Sequence, residues 1–203
     1  MKHLILDIEV STDISLLPGS WESTDEMDIA LAVVYDVTED NYLFFGHGEY
    51  ERIRLLETIQ KADRLTSYNG WQFDLPVICR FDRDTWAKKK GGPVQAILEK
   101  SNDDLFLRVQ SSAERHPSWK PQRGRLSLNA LSRSNLNKGK NGDPTEITRL
   151  FRQGKTLQIA EYCLQDVRLT HQLLKHIQNT GQVAIPGKPK ITIGMDSWTR
   201  KTG

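Results

Sequence analysis

A single segment near the N-terminus constrains the fold more than any other. Residues 3–10 read HLILDIEV, and their side chains alternate between two faces, as those of a β-strand do. One face is wholly aliphatic, and the other carries an isoleucine before it reaches Asp7 and Glu9. So apolar a strand belongs in the middle of a covered sheet. We therefore predict a central strand over 3–10 with two carboxylates on one face.

Strand and helix patterns alternate along the rest of the chain, which is typical of the α/β class. The other predicted strands are 29–37 and 41–46, which form a hairpin, then 64–68 and 104–109. The predicted helices are 49–62, 74–83, 126–133, 144–153 and 156–178. The last of them has an apolar stripe made of Leu157, Ala160, Leu164, Val167, Leu174 and Ile177. We predict one domain over 1–180 and a tail over 181–203 with one strand near 191–193.

Composition excludes several classes of protein. The 203 residues suit one large domain, and no apolar run approaches the roughly 18 residues that a membrane span needs, so we expect no membrane partner. The N-terminal apolar stretch is too short and too acidic for a secretory signal. Two cysteines, Cys79 and Cys163, make neither a disulfide framework nor a four-ligand zinc site. We therefore expect a protein of the reducing cytoplasm.

The net charge of +2 hides a division between an acidic and a basic part of the chain. Residues 1–50 hold eleven acidic side chains and one lysine. Residues 108–155 hold eleven lysines and arginines against three acids. This division suits a protein that holds a polyanion with one part and a cation with the other, although a solvated basic surface would give the same count.

Four carboxylates stand out by their positions. Asp7 and Glu9 share a face of the strand and repel each other unless a cation lies between them. Asp74 follows a strand and a tight turn in SYNGWQFDLP, and Tyr162 and Asp166 are four apart on one face of the last helix. Read alone, the first motif could arise by chance, Asp74 could be a helix N-cap, and the last pair could be a surface contact.

Together these acids predict a site for hard divalent cations. Carboxylate oxygens without histidine or cysteine select Mg²⁺ or Mn²⁺ over zinc. Two such ions about 3.5–4 Å apart can clamp an in-line displacement at a phosphodiester. The separate basic segment supplies the positive charge that a phosphate backbone needs.

Three motifs follow one another along the chain: Asp7-x-Glu9, Asn69-Gly70-x-x-Phe73-Asp74 and Tyr162-x-x-x-Asp166. Their order resembles that of the DEDD superfamily of 3′–5′ exonucleases, in the branch with a tyrosine in the third motif (DEDDy). The chain looks most like stand-alone exonucleases similar to the proofreading domain of family B DNA polymerases. The resemblance spans residues 4–178. It implies an α/β, ribonuclease H-like fold with a mixed five-stranded sheet flanked by helices.

The resemblance also implies roles around two divalent cations, Mg²⁺ or Mn²⁺. Asp7 would bridge both ions, Glu9 and Asp166 would complete the tighter site, and Asp74 would hold the looser ion. Tyr162 would orient the attacking water. Because a phenol is a poor base at neutral pH, the metal ions would do most of the work of activating that water. The implied reaction is hydrolysis of the last phosphodiester at a single-stranded 3′ end, with DNA favoured over RNA, to release a nucleoside 5′-monophosphate.

The candidate contacts to a nucleic-acid strand are polar, aromatic and basic side chains: Asn69, Trp71, Phe73, Lys120, Arg123, Arg125, Lys138 and Lys140. The two aromatic residues, with Trp119, are candidates to stack on bases, although such residues more often pack within the protein. The sequence shows no polymerase or helicase segment, so a partner protein from repair or replication would have to supply any such activity.

The sequence departs from the family pattern after the first motif. Val10 and Ser11 follow Glu9, where family members usually have a threonine with a glycine soon after, and here Gly19 is more distant. Residues 12–28 form a long acidic excursion, which would repel nucleic acid unless it faces away or is covered. Two alternatives stay open: a catalytically dormant nucleic-acid-binding module of the same fold, and an RNA-trimming exonuclease.

Overall fold

The computed structural model describes residues 1–86, 101–116, 120, 122, 124–140 and 144–193. The strands of its main sheet are β1 (His3–Val10), β2 (Ile29–Asp36), β3 (Asn41–Phe45), β4 (Arg64–Ser67) and β5 (Ser101–Asp104). They lie in the order β3-β2-β1-β4-β5. The pairs β3–β2 and β2–β1 are antiparallel, whereas β1–β4 and β4–β5 are parallel. The predicted α/β class, with a mixed five-stranded sheet flanked by helices, is confirmed.

Strand β1 is central because both of its faces are apolar. Leu4, Leu6 and Ile8 pack into a core on one side of the sheet. Ile5 packs into a second core on the other side. Asp7 and Glu9 follow Ile5 on that second face, toward the C-terminal end of the strand. The alternation predicted from the sequence is therefore present in the structure.

Helices cover both sides of the sheet. The helices over Glu49–Gln60 and Asp74–Cys79 contribute buried side chains to the first core, and the helix over Thr156–Thr180 contributes to the second. The described helices are α1 (Glu49–Gln60), α2 (Asp74–Cys79), α3 (Arg83–Trp86), α4 (Leu105–Glu114), α5 (Leu128–Leu136), α6 (Ile147–Arg152) and α7 (Thr156–Thr180), with a 3₁₀ turn η4 (Pro144–Glu146) before α6. No helix among these is long and apolar enough to cross a membrane.

The predicted strand over 104–109 is wrong. Strand β5 ends at Asp104, and α4 begins at the next residue. The Asp104 carboxylate accepts hydrogen bonds from the N–H groups of Phe106 and Leu107, at 3.0 and 3.3 Å, and so caps the helix. Leu105 and Val109 are both fully buried, and their spacing of four suits a helix. An apolar run of this length fits either element by pattern alone.

Two predicted helices differ from the structure in detail. The apolar stripe of the last helix fails at Leu157, which is 82% exposed. The buried face of α7 begins at Ile159. The predicted helix 74–83 is shorter, because α2 ends at Cys79 and Arg80 takes a left-handed φ of 56°. Left-handed backbone cannot continue an α-helix, so the chain turns there.

Residues 182–193 contain a second, two-stranded sheet. Its antiparallel strands are β6 (Gln182–Val183) and β7 (Ile191–Thr192). Val183, Ile185 and Ile191 pack with side chains of α4, α5 and α7 in a third apolar cluster. The predicted strand near 191–193 is thus present, but it pairs with β6 and not with the main sheet.

The acidic segment (residues 11–28) joins β1 to β2 and contains three 3₁₀ turns, η1 (Ile14–Leu16), η2 (Ser20–Glu22) and η3 (Thr24–Glu26). Its two ends meet where the Ser11 N–H donates to the Asp28 carbonyl oxygen at 2.8 Å. Thr24 is fully buried, and its hydroxyl donates to the Phe81 carbonyl oxygen at 2.6 Å. The Met27 side chain lies in the first core. The acidic excursion is therefore a packed part of the fold.

A buried ion cluster ties β4, β5 and α4 together. The side chain of Asp103 has no exposed surface and pairs with the guanidinium groups of both Arg64 and Arg108. Each arginine keeps less than a fifth of its side chain exposed. Two hydrogen-bonded cations offset the cost of burying this carboxylate.

Candidate active site

Three elements bring the predicted acids together near the C-terminal end of β1. Asp7 and Glu9 extend from β1, Asp74 is the first residue of α2, and Tyr162 and Asp166 lie one turn apart on α7. The Asp74 Oδ1 atom accepts a hydrogen bond of 3.1 Å from the backbone N–H of the strand residue between Asp7 and Glu9. Tyr162 and Asp166 are 8% and 5% exposed. They are therefore buried and do not form a surface contact.

A tight turn places Asp74. The residue at the N-cap position of α2 is Phe73, and its side chain makes no capping bond, so Asp74 is not an N-cap. Asn69 takes a left-handed φ of 68°. A Cβ atom on Gly70 would lie 2.6 Å from the Cβ of Ser67 and 3.4 Å from the Asp74 Oδ2 atom. A side chain at position 70 would clash with Ser67, so only a glycine lets the turn pack this closely against the end of β4.

Sequence reasoning missed Asp104, whose carboxylate is hydrogen-bonded to the backbone of that turn. Its Oδ1 atom accepts a bond from the Asn69 N–H and its Oδ2 atom one from the Trp71 N–H, both at 2.9 Å. The same carboxylate caps α4. One side chain therefore fixes both the turn that precedes Asp74 and the start of a helix. The available signal was an aspartate pair directly before an apolar run, which is typical of a helix N-terminus.

Lys140 was predicted to contact a nucleic-acid strand. The structure places its side chain among the site acids. Its ammonium group pairs with the Asp166 Oδ2 atom. It also lies 5.6 Å from the centroid of the Tyr162 ring. The Asp166 Oδ1 atom is buried and has no hydrogen-bond partner within the described part of the chain. Asp166 is thus half-satisfied by Lys140 and keeps one oxygen for another ligand.

Burial and mutual repulsion make these carboxyl groups difficult to ionise. Burial, followed by the charges of Asp166, Asp74 and Glu9, raises the pKa of Asp7 well above its ordinary value. Burial raises the pKa of Glu9 to about 8 and that of Asp74 to about 7. Burial also raises the pKa of Asp166, against the opposing charge of Lys140. Such a cluster is fully charged at neutral pH only beside further cations.

The donor atoms of this cluster fit hard divalent cations. One oxygen each of Asp7 and Glu9 and the sulfur of Cys163 lie within 4.8 Å of one another. Burial raises the pKa of the Cys163 thiol well above its ordinary value, so the group keeps its proton. It donates toward the carbonyl oxygen and the Oδ2 atom of Asp7, at 3.3 and 3.4 Å. Cys163 therefore orients Asp7, and the carboxylate oxygens are the ligands offered.

The aromatic candidates for base stacking each contact another ring. Trp71 lies with its ring centroid 5.5 Å from that of Trp86, in an edge-on arrangement. Phe73 lies 5.5 Å from Trp21 at an interplanar angle of 57°. Both Trp71 and Phe73 keep part of their surface exposed. Trp119 is outside the described residues.

Among the described residues, Lys120, Arg125 and Lys138 make no contact with the site acids. Lys120 is exposed, and Arg125 is partly exposed. The Lys138 ammonium donates to a glutamine side chain of α7 at 2.9 Å. Arg123 lies outside the described residues. A role for these four in holding a nucleic-acid strand stays a prediction.

The free energy of unfolding of the metal-free protein is expected to fall as the pH rises from about 4 to about 8. Glu9 and Asp74 keep their protons in the folded protein up to about pH 8 and 7, whereas in the unfolded chain they lose them near pH 4. The unfolded state binds fewer protons throughout this range, so rising pH favours it. Thermal melts in chelator at constant ionic strength measure the slope. Glu9→Gln should flatten it, and Glu57→Gln, at an exposed position of α1, should leave it unchanged.

Replacing Asp104 with alanine is expected to lower the free energy of unfolding and to slow any reaction carried out at this site. Loss of the cap costs about 1–2 kcal/mol, and release of the turn before Asp74 should slow such a reaction about 10- to 100-fold. Asp104→Asn keeps one acceptor oxygen, so its stability should lie between that of the wild type and that of Asp104→Ala. The matched control is Ser127→Ala, which removes the cap of α5, where the hydroxyl accepts from the Ala130 N–H at 3.2 Å. Equal loss of activity in both alanine variants would contradict a positioning role for Asp104.

Comparison with known proteins finds a likeness in structure only. No family model matches the chain, and no curated protein matches its sequence. Among solved structures, it is similar to the family B DNA polymerase from the hyperthermophilic archaeon Pyrobaculum calidifontis, with a TM-score of 0.61 and 14% sequence identity. The similarity covers 88% of this chain and 24% of the polymerase chain. It establishes a shared fold with part of a much longer protein.

Proposed function

We propose that this chain is a metal-dependent 3′–5′ exonuclease of the DEDDy type with a ribonuclease H-like fold. Its substrate is single-stranded nucleic acid, with DNA favoured. The observation that carries the proposal is the convergence of four acids from three elements, with Tyr162 beside them, in one buried cluster. The fold shared with part of a DNA polymerase supports a nucleic-acid substrate.

Asp7, Glu9, Asp74 and Asp166 would hold two divalent cations, Mg²⁺ or Mn²⁺. When bound, such ions polarise phosphodiester oxygens and lower the pKa of water. The raised pKa values of these carboxyl groups and the unpartnered oxygen of Asp166 both support cation binding here.

The remaining side chains of the site position the reactants. The Tyr162 hydroxyl would orient a water molecule for attack on the last phosphorus. Lys140 brings a positive charge to the place where the phosphate group would arrive. Water adds to phosphorus, and the bond between phosphorus and the 3′ oxygen of the preceding nucleotide breaks. That oxygen takes up a proton, and a nucleoside 5′-monophosphate leaves.

We further propose that residues 1–180 form the catalytic domain. Cys79 and Cys163 are both free thiols, which fits the reducing cytoplasm. Proteins of repair or replication are the proposed partners, since their substrates expose single-stranded 3′ ends.

A time course with end-labelled single strands tests the proposal. Matched DNA and RNA strands, labelled at either end, are incubated with Mn²⁺, Mg²⁺ or chelator. The expected result is immediate mononucleotide release from the 3′ label and a descending ladder from the 5′ label, both only with metal. An Asp7→Ala/Glu9→Ala double variant should be inactive, and activity in that variant would overturn the site assignment.

Digestion of, and binding to, the same labelled strands separate the two alternatives. Preferential digestion of the RNA strand would identify an RNA-trimming exonuclease. Retained binding with no cleavage under any metal would identify a dormant binding module and contradict the proposed activity. In that case Val10 and Ser11, which follow the first motif, are the first residues to examine.

A further inference from the structure

The backbone around Lys140 is anchored to two helices. The Lys140 N–H donates to the side-chain oxygen of Asn129, on α5, at 3.0 Å. The carbonyl oxygen of the preceding residue, Gly139, accepts a bond of 3.2 Å from the side chain of Gln165, on α7. A Cβ atom on Gly139 would lie 2.7 Å from the Arg133 Nε atom and 3.2 Å from the Asn129 side-chain oxygen. The segment therefore packs against both helices, and none of these contacts involves the Lys140 ammonium group.

The ammonium group itself lies among the site acids. It pairs with the Asp166 Oδ2 atom, and 21% of the Lys140 side chain is exposed. Burial lowers the pKa of this ammonium group, but the charges of Asp166, Asp7 and Glu9 together raise it by more, so the group is a cation at neutral pH. Its charge also opposes the rise in the pKa of each of these three carboxyl groups. Lys140 is therefore a cation of the chain itself, set against the same acids that a bound metal ion would neutralise.

A divalent cation and this ammonium group would compete for Asp166. One oxygen of that carboxylate pairs with Lys140, and the other is buried without a hydrogen-bond partner in the described part of the chain. A carboxylate attracts both kinds of cation, but two cations on one carboxylate repel each other, and burial weakens the screening of that repulsion by water. The stem of a lysine is flexible, so the ammonium group can leave Asp166 while the anchored backbone stays in place.

We propose that Lys140 is a resident competitor of the metal ions: its ammonium group occupies Asp166 in the metal-free protein and leaves that carboxylate when a divalent cation binds. The inference rests on the proposed function for the identity of the ligand, Mg²⁺ or Mn²⁺. The competition neutralises part of the charge of the acid cluster until metal arrives. It also lowers the affinity of the free protein for metal, because the ion pair has to be broken first.

Calorimetric titration of Mn²⁺ into the full chain, without nucleic acid, measures the competition. Lys140→Met keeps most of the length of the side chain and removes its charge, so this variant should bind Mn²⁺ about 10-fold more tightly than the wild type. In chelator it should melt at a lower temperature, because the acids have lost their cation, and saturating Mn²⁺ should reduce that difference. The control is Lys175→Met, at an exposed position of α7, which should bind Mn²⁺ as the wild type does.

Crystal structures of the wild type in chelator and in Mn²⁺ measure the displacement without any substitution. The ion pair between Lys140 and Asp166 should be present in chelator. Once Mn²⁺ is bound, the ammonium nitrogen and the carboxylate oxygens should lie more than about 4 Å apart. An ion pair that persists beside bound Mn²⁺ overturns the proposal, and so does a Lys140→Met protein that binds Mn²⁺ no more tightly than the wild type.

The outcomes also separate this competition from the proposed function. A wild type that exchanges the Lys140 ion pair for Mn²⁺ but never shortens a strand supports the competition and overturns the exonuclease. A wild type that digests DNA while Lys140 stays paired with Asp166 in the Mn²⁺ structure overturns the competition alone. Absence of Mn²⁺ binding to both the wild type and Lys140→Met overturns both.

Discussion

Replacing Asp7 with asparagine is expected to slow metal-dependent digestion about a thousand-fold or more. Asp7 lies on the central strand beside Glu9 and the thiol of Cys163, and in the proposed mechanism it contacts both cations. Loss of this ligand weakens both positions at once. A metal ion contributes several kcal/mol to such reactions, and each 1.36 kcal/mol is worth about a factor of ten. Initial rates of shortening of a 5′-labelled strand at saturating Mn²⁺ measure the effect.

The same substitution is expected to stabilise the metal-free protein. Burial and the charges of neighbouring acids make ionised Asp7 unfavourable, which is why its pKa is raised. An asparagine keeps the shape without the charge. A gain of about 1 kcal/mol would raise Tm by about 2–4 °C in a protein of this size, measured in chelator at pH 8.

The control for both effects is Glu57→Gln, which removes a carboxylate from the exposed face of α1. It should change neither the digestion rate nor Tm by a measurable amount. An Asp7→Asn protein that melts lower than the wild type and still digests DNA would contradict the assignment of Asp7 on both counts. Opposite movements of activity and stability are the expected signature of a site that concentrates charge.

Replacing Asp103 with alanine is expected to lower the free energy of unfolding by about 3–5 kcal/mol. The substitution removes the fully buried carboxylate that pairs with both Arg64 and Arg108, so two partly buried cations lose their shared counter-charge. Asp103 lies on β5, and the two arginines lie on β4 and α4. Urea denaturation followed by circular dichroism measures the loss.

A matched exposed ion pair provides the comparison. Arg149 and Glu146 pair on the surface with about half of each side chain exposed. Glu146→Ala should therefore cost less than about 1 kcal/mol. Asp103→Asn, which retains one acceptor oxygen, should fall between the two. A loss for Asp103→Ala no larger than that for Glu146→Ala would show that the buried cluster adds little to stability.

The parts of the site that local patterns encode were predictable. Asp7 and Glu9 share a face because strand side chains alternate, and that needs only the sequence of β1. Tyr162 and Asp166 share a face because helix neighbours are four apart. The sheet class followed from the order of such elements. In each case the physical cause lies within a few residues of the side chain concerned.

The parts of the fold and of the site that depend on contacts between distant residues could not be predicted from the sequence. Residues 105–109 suit a strand as well as a helix, and the Asp104 cap decides between them. The bonds from Asp104 to the turn at Asn69 join positions more than thirty residues apart. Lys140 is one of many basic residues in its part of the sequence, and only the fold sets it against Asp166. No pattern within a segment contains this information.

The site residues are far apart in the sequence, and this separation determines when the site can form during biosynthesis. Cys163, next to Asp166 on α7, follows Asp7 by 156 residues. At about 5–20 residues per second, the ribosome makes it about 10 to 30 s later. The parallel pairing of β1 with β4 must likewise wait for distant residues. A nascent chain therefore carries its first two carboxylates before the other residues of the site have been made.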